Sequence, residues 1–226
     1  MASVRASLPR PAAVLFDFNG TLSCDEEILF EIFADLFSER GRVLDRDRYF
    51  AELAGLSDRE IVSRFMGSGF SGVESLLLEH GKRYRGITKG GETISEGTRA
   101  AVRLASKAVP IGVVSGASRR DVEAVLKDAG ILPFFSVIVA LEDVAHGKPH
   151  PEGYERALIE LGGSLRPSDV LVFEDSQPGV DAALAAGMRC VGIGRIERQM
   201  GLNGAEETAP LLTEELVARL LAVPSG

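Results

Sequence analysis

The sequence predicts a doubly wound α/β domain whose parallel sheet is interrupted once by a helical insert. Three observations predict it. Short apolar runs closed by polar or glycine residues recur along the chain, as expected of strands buried on both faces. Segments of helical period separate them, and strands alternating with helices imply parallel pairing through right-handed crossovers. The alternation fails in one place, between the first run and the second, where the chain carries helical patterns and no strand-like run.

Residues 1–11, with Pro9 and Pro11, read as a loose arm. The run at 12–16 (AAVLF) is the first strand, followed by helical patterns at 26–39, 45–54, 58–65 and 73–84. These four make the insert, and the glycines at 86–91 are the expected hinge back to the sheet. The alternation then resumes with a helix at 98–107 and a strand at 110–114. Ser118 is a candidate N-cap for a helix ending before Gly130. A strand at 136–140 precedes a helix at 151–161, which has Pro151 at its start and Gly162 past its end. A strand at 170–173, a helix at 178–186 closed by Gly187, a strand at 190–193 and a helix at 213–222 complete the chain. The α/β domain is therefore expected over 1–24 and 92–226, and the helical subdomain over 25–91.

The 25 Lys and Arg against 33 Asp and Glu leave a formal charge of −8. Nucleic acid and anionic membranes need a positive surface, so neither is expected as a partner. A small phosphorylated metabolite needs only a local positive site and stays open. Cys24 and Cys190 are too few for a disulfide scaffold. No apolar run approaches the roughly 20 residues of a membrane helix, and no signal-peptide pattern opens the chain. The expectation is a cytoplasmic protein, a monomer or weak homodimer.

Parallel α/β sheets carry their sites at the carboxyl ends of the strands. After the first strand stand Asp17, Phe18, Asn19, Gly20 and Thr21, and after the second Ser115 and Gly116. Past the third stand His146, Gly147, Lys148 and Pro149, and after the fourth Glu174 and Asp175. Three crowded carboxylates repel one another and call for a hard cation such as Mg²⁺. A cation, a lysine and backbone N–H groups together hold a phosphate. One carboxylate can then attack phosphorus and form an aspartyl-phosphate.

With these residues in place the sequence resembles the haloacid dehalogenase superfamily of phosphotransferases over nearly its whole length. The resemblance rests on four motifs in order: 16–22 (FDFNGTL), Ser115 closing 112–115, Lys148 within 147–152 (GKPHPE), and 173–180 (FEDSQPGV). The helical insert is similar to the cap of the subfamily that contains phosphoglycolate phosphatase and β-phosphoglucomutase. The resemblance implies that Asp17 is the nucleophile and a Mg²⁺ ligand. It implies that Ser115 and the Gly116 backbone bind phosphoryl oxygens and that Lys148 neutralises Asp17 and the transition state. Glu174, Asp175 and the Asn19 carbonyl would complete the metal site. The expected activity is Mg²⁺-dependent hydrolysis of a small phosphate monoester.

One position departs from that pattern. The family's phosphatases carry Asp two residues after the nucleophile, where this chain has Asn19. An amide cannot take a proton near neutral pH, and losing a positioned acid–base group costs about 10²–10⁴-fold. A slow or specialised phosphatase is the first reading. The alternatives are a β-phosphoglucomutase-like phosphotransferase, a haloacid dehalogenase and a degenerate binding protein. The mutase branch carries a His twelve positions past the nucleophile, where this chain has Leu29. The Glu174–Asp175 pair would be wasted on a dehalogenase, which needs no metal.

Other patterns have plainer readings. The G-x-G-x-x-G at 67–72 follows no strand and lies in the insert, so it reads as a connection between helices. Ser57 and Glu60 fit a capping box, and Arg59 beside them is a candidate substrate contact or a solvated helix residue. His146 and His150 are four apart, but Pro149 and Pro151 prevent a regular helix there, so they read as loop residues rather than ligands. No nucleophile-elbow pattern surrounds Ser115. Cys24 and Cys190 read as packing residues.

Overall fold

In the computed structural model, residues 10–194 and 202–224 are described. The predicted arm therefore lies, through residue 9, outside the described residues. Strands β1 (Ala13–Phe16), β2 (Ile111–Val114), β3 (Val137–Val139), β4 (Val170–Glu174), β5 (Arg189–Ile193) and β6 (Glu207–Ala209) form one sheet in the order β3-β2-β1-β4-β5-β6. Every pairing is parallel. The sheet order reverses direction at β1, which places a crevice at the carboxyl ends of β1 and β4.

Both faces of the sheet are buried, which is why its strands read as unbroken apolar runs. Val14, Phe16, Val113, Leu171 and Phe173 turn to one face, where the rings of Phe16 and Phe173 stack with centroids 5.3 Å apart. Helices α5 (Glu96–Ala108), α6 (Arg119–Asp128) and α9 (Glu214–Leu221) cover that face through Val102, Leu126 and Val217. Ala13, Leu15, Val170 and Val172 turn to the other face. There α7 (Glu152–Leu161) and α8 (Gln177–Ala185) supply Tyr154, Ala157 and Val180.

Between β1 and β2 the chain is helical. Helices α1 (Glu26–Ser38), α2 (Arg46–Arg48), α3 (Asp58–Met66) and α4 (Val73–Ile87) follow one another. α1 packs its Leu29, Phe33 and Phe37 stripe against α4, and the Phe33 ring stacks on His80 with centroids 4.3 Å apart. The 45–54 pattern resolves into α2 and a π-helical stretch, Tyr49–Leu53, rather than one α-helix. The α4 helix runs through Gly86 and Ile87, so the first residues of the 86–91 stretch are helical and the connection to α5 begins at Thr88. The 67–72 glycines close α3 and open α4, as a connection between helices should.

The strand that the sequence does not announce is β6. Its three residues, Glu-Thr-Ala, sit half-exposed or exposed at the sheet edge. An edge strand needs no apolar run, so hydrophobic patterning is silent about it. No helix among the described residues is long and apolar enough to cross a membrane.

Candidate active site

Asp17 leaves β1 directly into the crevice. Its N–H donates to the Phe173 carbonyl at 2.9 Å, so the sheet register carries on into the site. Gly20 then turns the chain with φ +80°, and a Cβ there would stand 1.9 Å from Asp175 Oδ2. Only glycine admits both that conformation and that close approach. The 16–22 motif is thereby pressed against the end of β4.

Lys148 reaches across from the β3–α7 loop. Its Nζ donates to Asp17 Oδ1 and to Glu174 Oε1, each at 2.5 Å, and to the Val114 carbonyl at 3.1 Å. All three side chains are buried. Burial works to lower the Lys148 amine, but Asp17 and Glu174 more than reverse this and hold it above its ordinary range. Burial lifts the Asp17 carboxyl to about 7 against the pull of Lys148, with Glu174 adding to the rise.

Glu174 is fully buried. Its Oε1 also accepts from the Tyr154 hydroxyl at 2.7 Å, and its Oε2 from the Asp175 N–H at 3.1 Å and the Ser176 hydroxyl at 3.2 Å. Glu174 thus fixes the lysine as well as facing the other carboxylates. Tyr154 is a part of the site that sequence reading missed, because a tyrosine at an apolar helix position is indistinguishable from core. One carboxylate oxygen each from Asp17, Glu174 and Asp175 lie within 4.8 Å of one another.

Ser115 ends β2 beside them. Its N–H donates to the Val139 carbonyl at 2.9 Å, and its Oγ accepts from the Ala117 N–H at 3.0 Å. Gly116 follows it into the cavity wall. Asn19 sits at the same rim, its Nδ2 donating to Asp25 Oδ2 at 3.0 Å. Tyr84 also donates its hydroxyl to that oxygen. Burial raises the Asp25 carboxyl to about 6, against the hydrogen bonds it receives.

A cavity of about 400 Å³ opens over this group. Asp17, Asn19, Gly116, Lys148 and Asp175 form its sheet side, while Glu26, Tyr49 and Asp58 reach it from the helical segment. Arg59 is not among its lining residues. It pairs instead with Glu74 at 2.6 Å on the exposed face of α3. The reason is helical geometry: one residue is 100° of turn, so the neighbour of a cavity residue points elsewhere. Asp58, the residue before Arg59, lines the cavity together with Gly55, Leu56 and Ile61, and its position at the first turn of a capped helix disguised it.

His146 and His150 stand on the lysine loop with ring centroids 4.7 Å apart, and with Glu152 they form a second group of metal-ligand type. Glu152 spends its oxygens on the N–H groups of Ala145 and His146, and the His150 Nδ1 accepts the Glu152 N–H at 3.2 Å. The trio organises the loop that carries Lys148.

The sequence matches the haloacid dehalogenase-like hydrolases over residues 11–187. It is 32% identical over 204 residues to a validoxylamine A 7'-phosphate phosphatase of Streptomyces hygroscopicus subsp. limoneus, covering 88% of this chain and 93% of that one. Among solved structures, a variant of CbbY from Rhodobacter sphaeroides in complex with xylulose-(1,5)bisphosphate superposes with a TM-score of 0.80. The two are 28% identical, with 93% of this chain and 99% of that one covered. The β-phosphoglucomutase of Clostridium difficile shares the fold with a TM-score of 0.79 at 22% identity, covering 94% and 97% of the two chains.

Proposed function

Because the chain belongs to the haloacid dehalogenase-like hydrolase family, we propose that it hydrolyses a small phosphate monoester through an aspartyl-phosphate at Asp17. The observation that carries this reading is the buried contact of Asp17 with Lys148, 2.5 Å apart on the floor of the cavity. The ammonium favours the anionic form of the carboxyl, which faces the space where a phosphoryl group would lie.

The residues present fit Mg²⁺. Three carboxylates with one lysine leave surplus negative charge in a buried rim, and hard oxygen donors suit a hard cation. Asp17, Glu174, Asp175 and the Asn19 carbonyl would hold it, with Glu174 sharing its carboxylate with Lys148. When bound, the ion would neutralise charge on the phosphoryl oxygens.

The chain's own residues account for the rest. Ser115 and the Gly116 backbone offer donors to the phosphoryl oxygens. Asp17 attacks phosphorus, the ester P–O bond breaks, and the leaving oxygen takes its proton from solvent water; hydroxide from that water is neutralised when the second water gives up its proton. Lys148 compensates the charge that develops, so most of the rate comes from positioning. Water then attacks phosphorus, releasing phosphate and restoring Asp17. Asn19 can hydrogen-bond but cannot hold the proton moved in either step, so turnover is slow. The helices of 25–91 act as a cap: opening admits substrate and closure excludes water.

The test is phosphate release from a panel of phosphorylated metabolites with Mg²⁺, with Asp17→Asn alongside. Release that depends on Asp17 supports the reading. No Asp17-dependent release from any of them would favour a binding protein.

A further inference from the structure

We infer that His146, His150 and Glu152, on the loop that carries Lys148, form a second cation site, suited to a borderline ion such as Zn²⁺ and not to Mg²⁺. The inference goes beyond the phosphatase reading and does not depend on it.

The first ground is convergence. One nitrogen from each imidazole and one oxygen from Glu152 lie within 4.8 Å of one another. Glu152 Oε2 stands 2.9 Å from His146 Nδ1 and 4.0 Å from His150 Nδ1. A tetrahedral ion with bonds of about 2.0–2.1 Å sets its ligand atoms about 3.4 Å apart, between those two distances. Adjusting each contact by roughly half an ångström closes the site. Both rings are exposed, so they can shift that far without disturbing the core.

The second ground is that the loop already holds the ligands. Pro149 and Pro151 fix φ on both sides of His150. They prevent the helix on which two histidines four apart usually meet, yet the turn brings the ring centroids to 4.7 Å. Glu152 opens α7, where its Oε1 accepts the Ala145 N–H at 2.8 Å and its Oε2 the His146 N–H at 3.0 Å. A carboxylate steadied in this way has less freedom to lose when an ion binds. Those bonds do not exhaust it, because each carboxylate oxygen has two lone pairs. The His146 ring takes the second one on Oε2, and an ion there replaces the ring proton, which moves to Nε2. His150 Nδ1 accepts the Glu152 N–H at 3.2 Å, so its lone pair is already turned toward Glu152. When the ion takes that lone pair, the N–H is left at a helix start, where water serves it.

The third ground is the donor set. Imidazole suits Zn²⁺, Cu²⁺ and Ni²⁺, whereas Mg²⁺ keeps to oxygen and to octahedral geometry. Asp17, Glu174 and Asp175 offer oxygen alone, while this group offers two imidazoles and one carboxylate. The two groups therefore sort ions by their chemistry. Three protein ligands leave the fourth position to water. An ion held here ties residue 146 to residues 150 and 152, and so spans the turn that carries Lys148.

The chain has three histidines, which makes the test direct. Protein labelled with ¹⁵N-histidine is titrated with Zn²⁺ by NMR in a phosphate-free buffer, with Mg²⁺ in excess to occupy the carboxylate group. The His146 and His150 rings, assigned with His146→Ala and His150→Ala, should shift together and stop at about one Zn²⁺ per chain. His80, buried against Phe33, should stay still, and its unmoved signal in each variant reports an intact fold. Mg²⁺ alone should move none of the three. Each alanine variant, and Glu152→Gln, should weaken Zn²⁺ binding by about tenfold or more. Zn²⁺ that leaves both rings unmoved, or moves one without the other, would overturn the inference. So would unchanged affinity in any of the three variants, or the same shifts with Mg²⁺.

Discussion

Asn19 is held in place by a residue that the motif does not include. Its amide donates to Asp25, which Tyr84 also engages. Replacing it with Asp sets a carboxyl against Asp25, whose own carboxyl is already raised to about 6 by burial. Two neighbouring carboxyls keep one proton between them near neutral pH, which is what an acid for the leaving oxygen requires. Asn19→Asp should therefore raise phosphate release from monoesters by about 10²-fold or more. Unchanged release would mean that Asn19 is not simply a missing acid. Asp58 supplies a prediction of another kind. Burial, then Asp121 and Glu142, raise its carboxyl to about 8, while unfolded it titrates near the usual ~3.9. A raised value means that the folded chain keeps a proton which the unfolded chain releases. The stabilisation is full below about 4 and is lost as pH rises to about 8. Asn cannot ionise, so the melting temperature of Asp58→Asn relative to the unaltered protein should climb between pH 5 and pH 8. His80, lowered to about 4, and Arg85, paired with Asp121, are common to both proteins. A difference that stays constant across that range contradicts the assignment. At this scale the motif residues were legible because their spacing is tied to strand ends. Tyr154, Asp25 and Asp58 were not, because their partners lie 20, 6 and 22 residues away in sequence and only folding reveals the pairing.

Helix α3 shows how an ordinary local signal can position a site. Ser57 accepts the Glu60 N–H at 3.3 Å and Glu60 Oε2 accepts the Ser57 N–H at 3.1 Å, the capping box that the sequence suggests. The same turn is the part of the insert that lies against Gly116. Removing the hydroxyl in Ser57→Ala should cost about 1 kcal/mol and lower the melting temperature by about 2–4 °C. It should also raise KM more than it lowers kcat, since it loosens the wall and not Asp17. A kcat loss at unchanged KM would place Ser57 in the chemistry instead. Elements with apolar faces or caps were legible for the same reason that α3 was: burial and capping each leave a local mark. The π-helical stretch at Tyr49–Leu53 and the edge strand β6 leave none. The first differs from an α-helix only in how its hydrogen bonds are spaced, and the second exposes the residues that patterning would need.

Across the molecule, the formal charge of −8 is distributed in a way that total charge does not reveal. Asp17, Glu174 and Asp175 converge at one rim, Lys148 sits among them, and the wall opposite adds Glu26 and Asp58. Carboxylates converging in this way call for a hard cation among them. Chelating divalent cations should therefore abolish turnover, and Mg²⁺ should restore it, as phosphate-release assays before and after readdition would show. The alternation of strands and helices along the chain makes a crevice at the strand ends legible in the sequence. Which side chains the insert lowers into it is not legible there, since one residue of helical turn separates Asp58 from Arg59. The proposed chemistry depends on phosphate passing through Asp17. With no acid–base group at position 19, a substrate whose leaving oxygen needs little protonation should pass the first step readily and the second slowly, so that the intermediate accumulates. The most direct measurement is acid-quenching of the protein after brief exposure to a ³²P-labelled substrate with Mg²⁺, followed by hydroxylamine, which cleaves acyl phosphates. Protein-bound label should approach about one per chain, be released by hydroxylamine and be absent from Asp17→Asn. Phosphate release without any such label, or equal label in Asp17→Asn, would contradict a phosphoenzyme at Asp17.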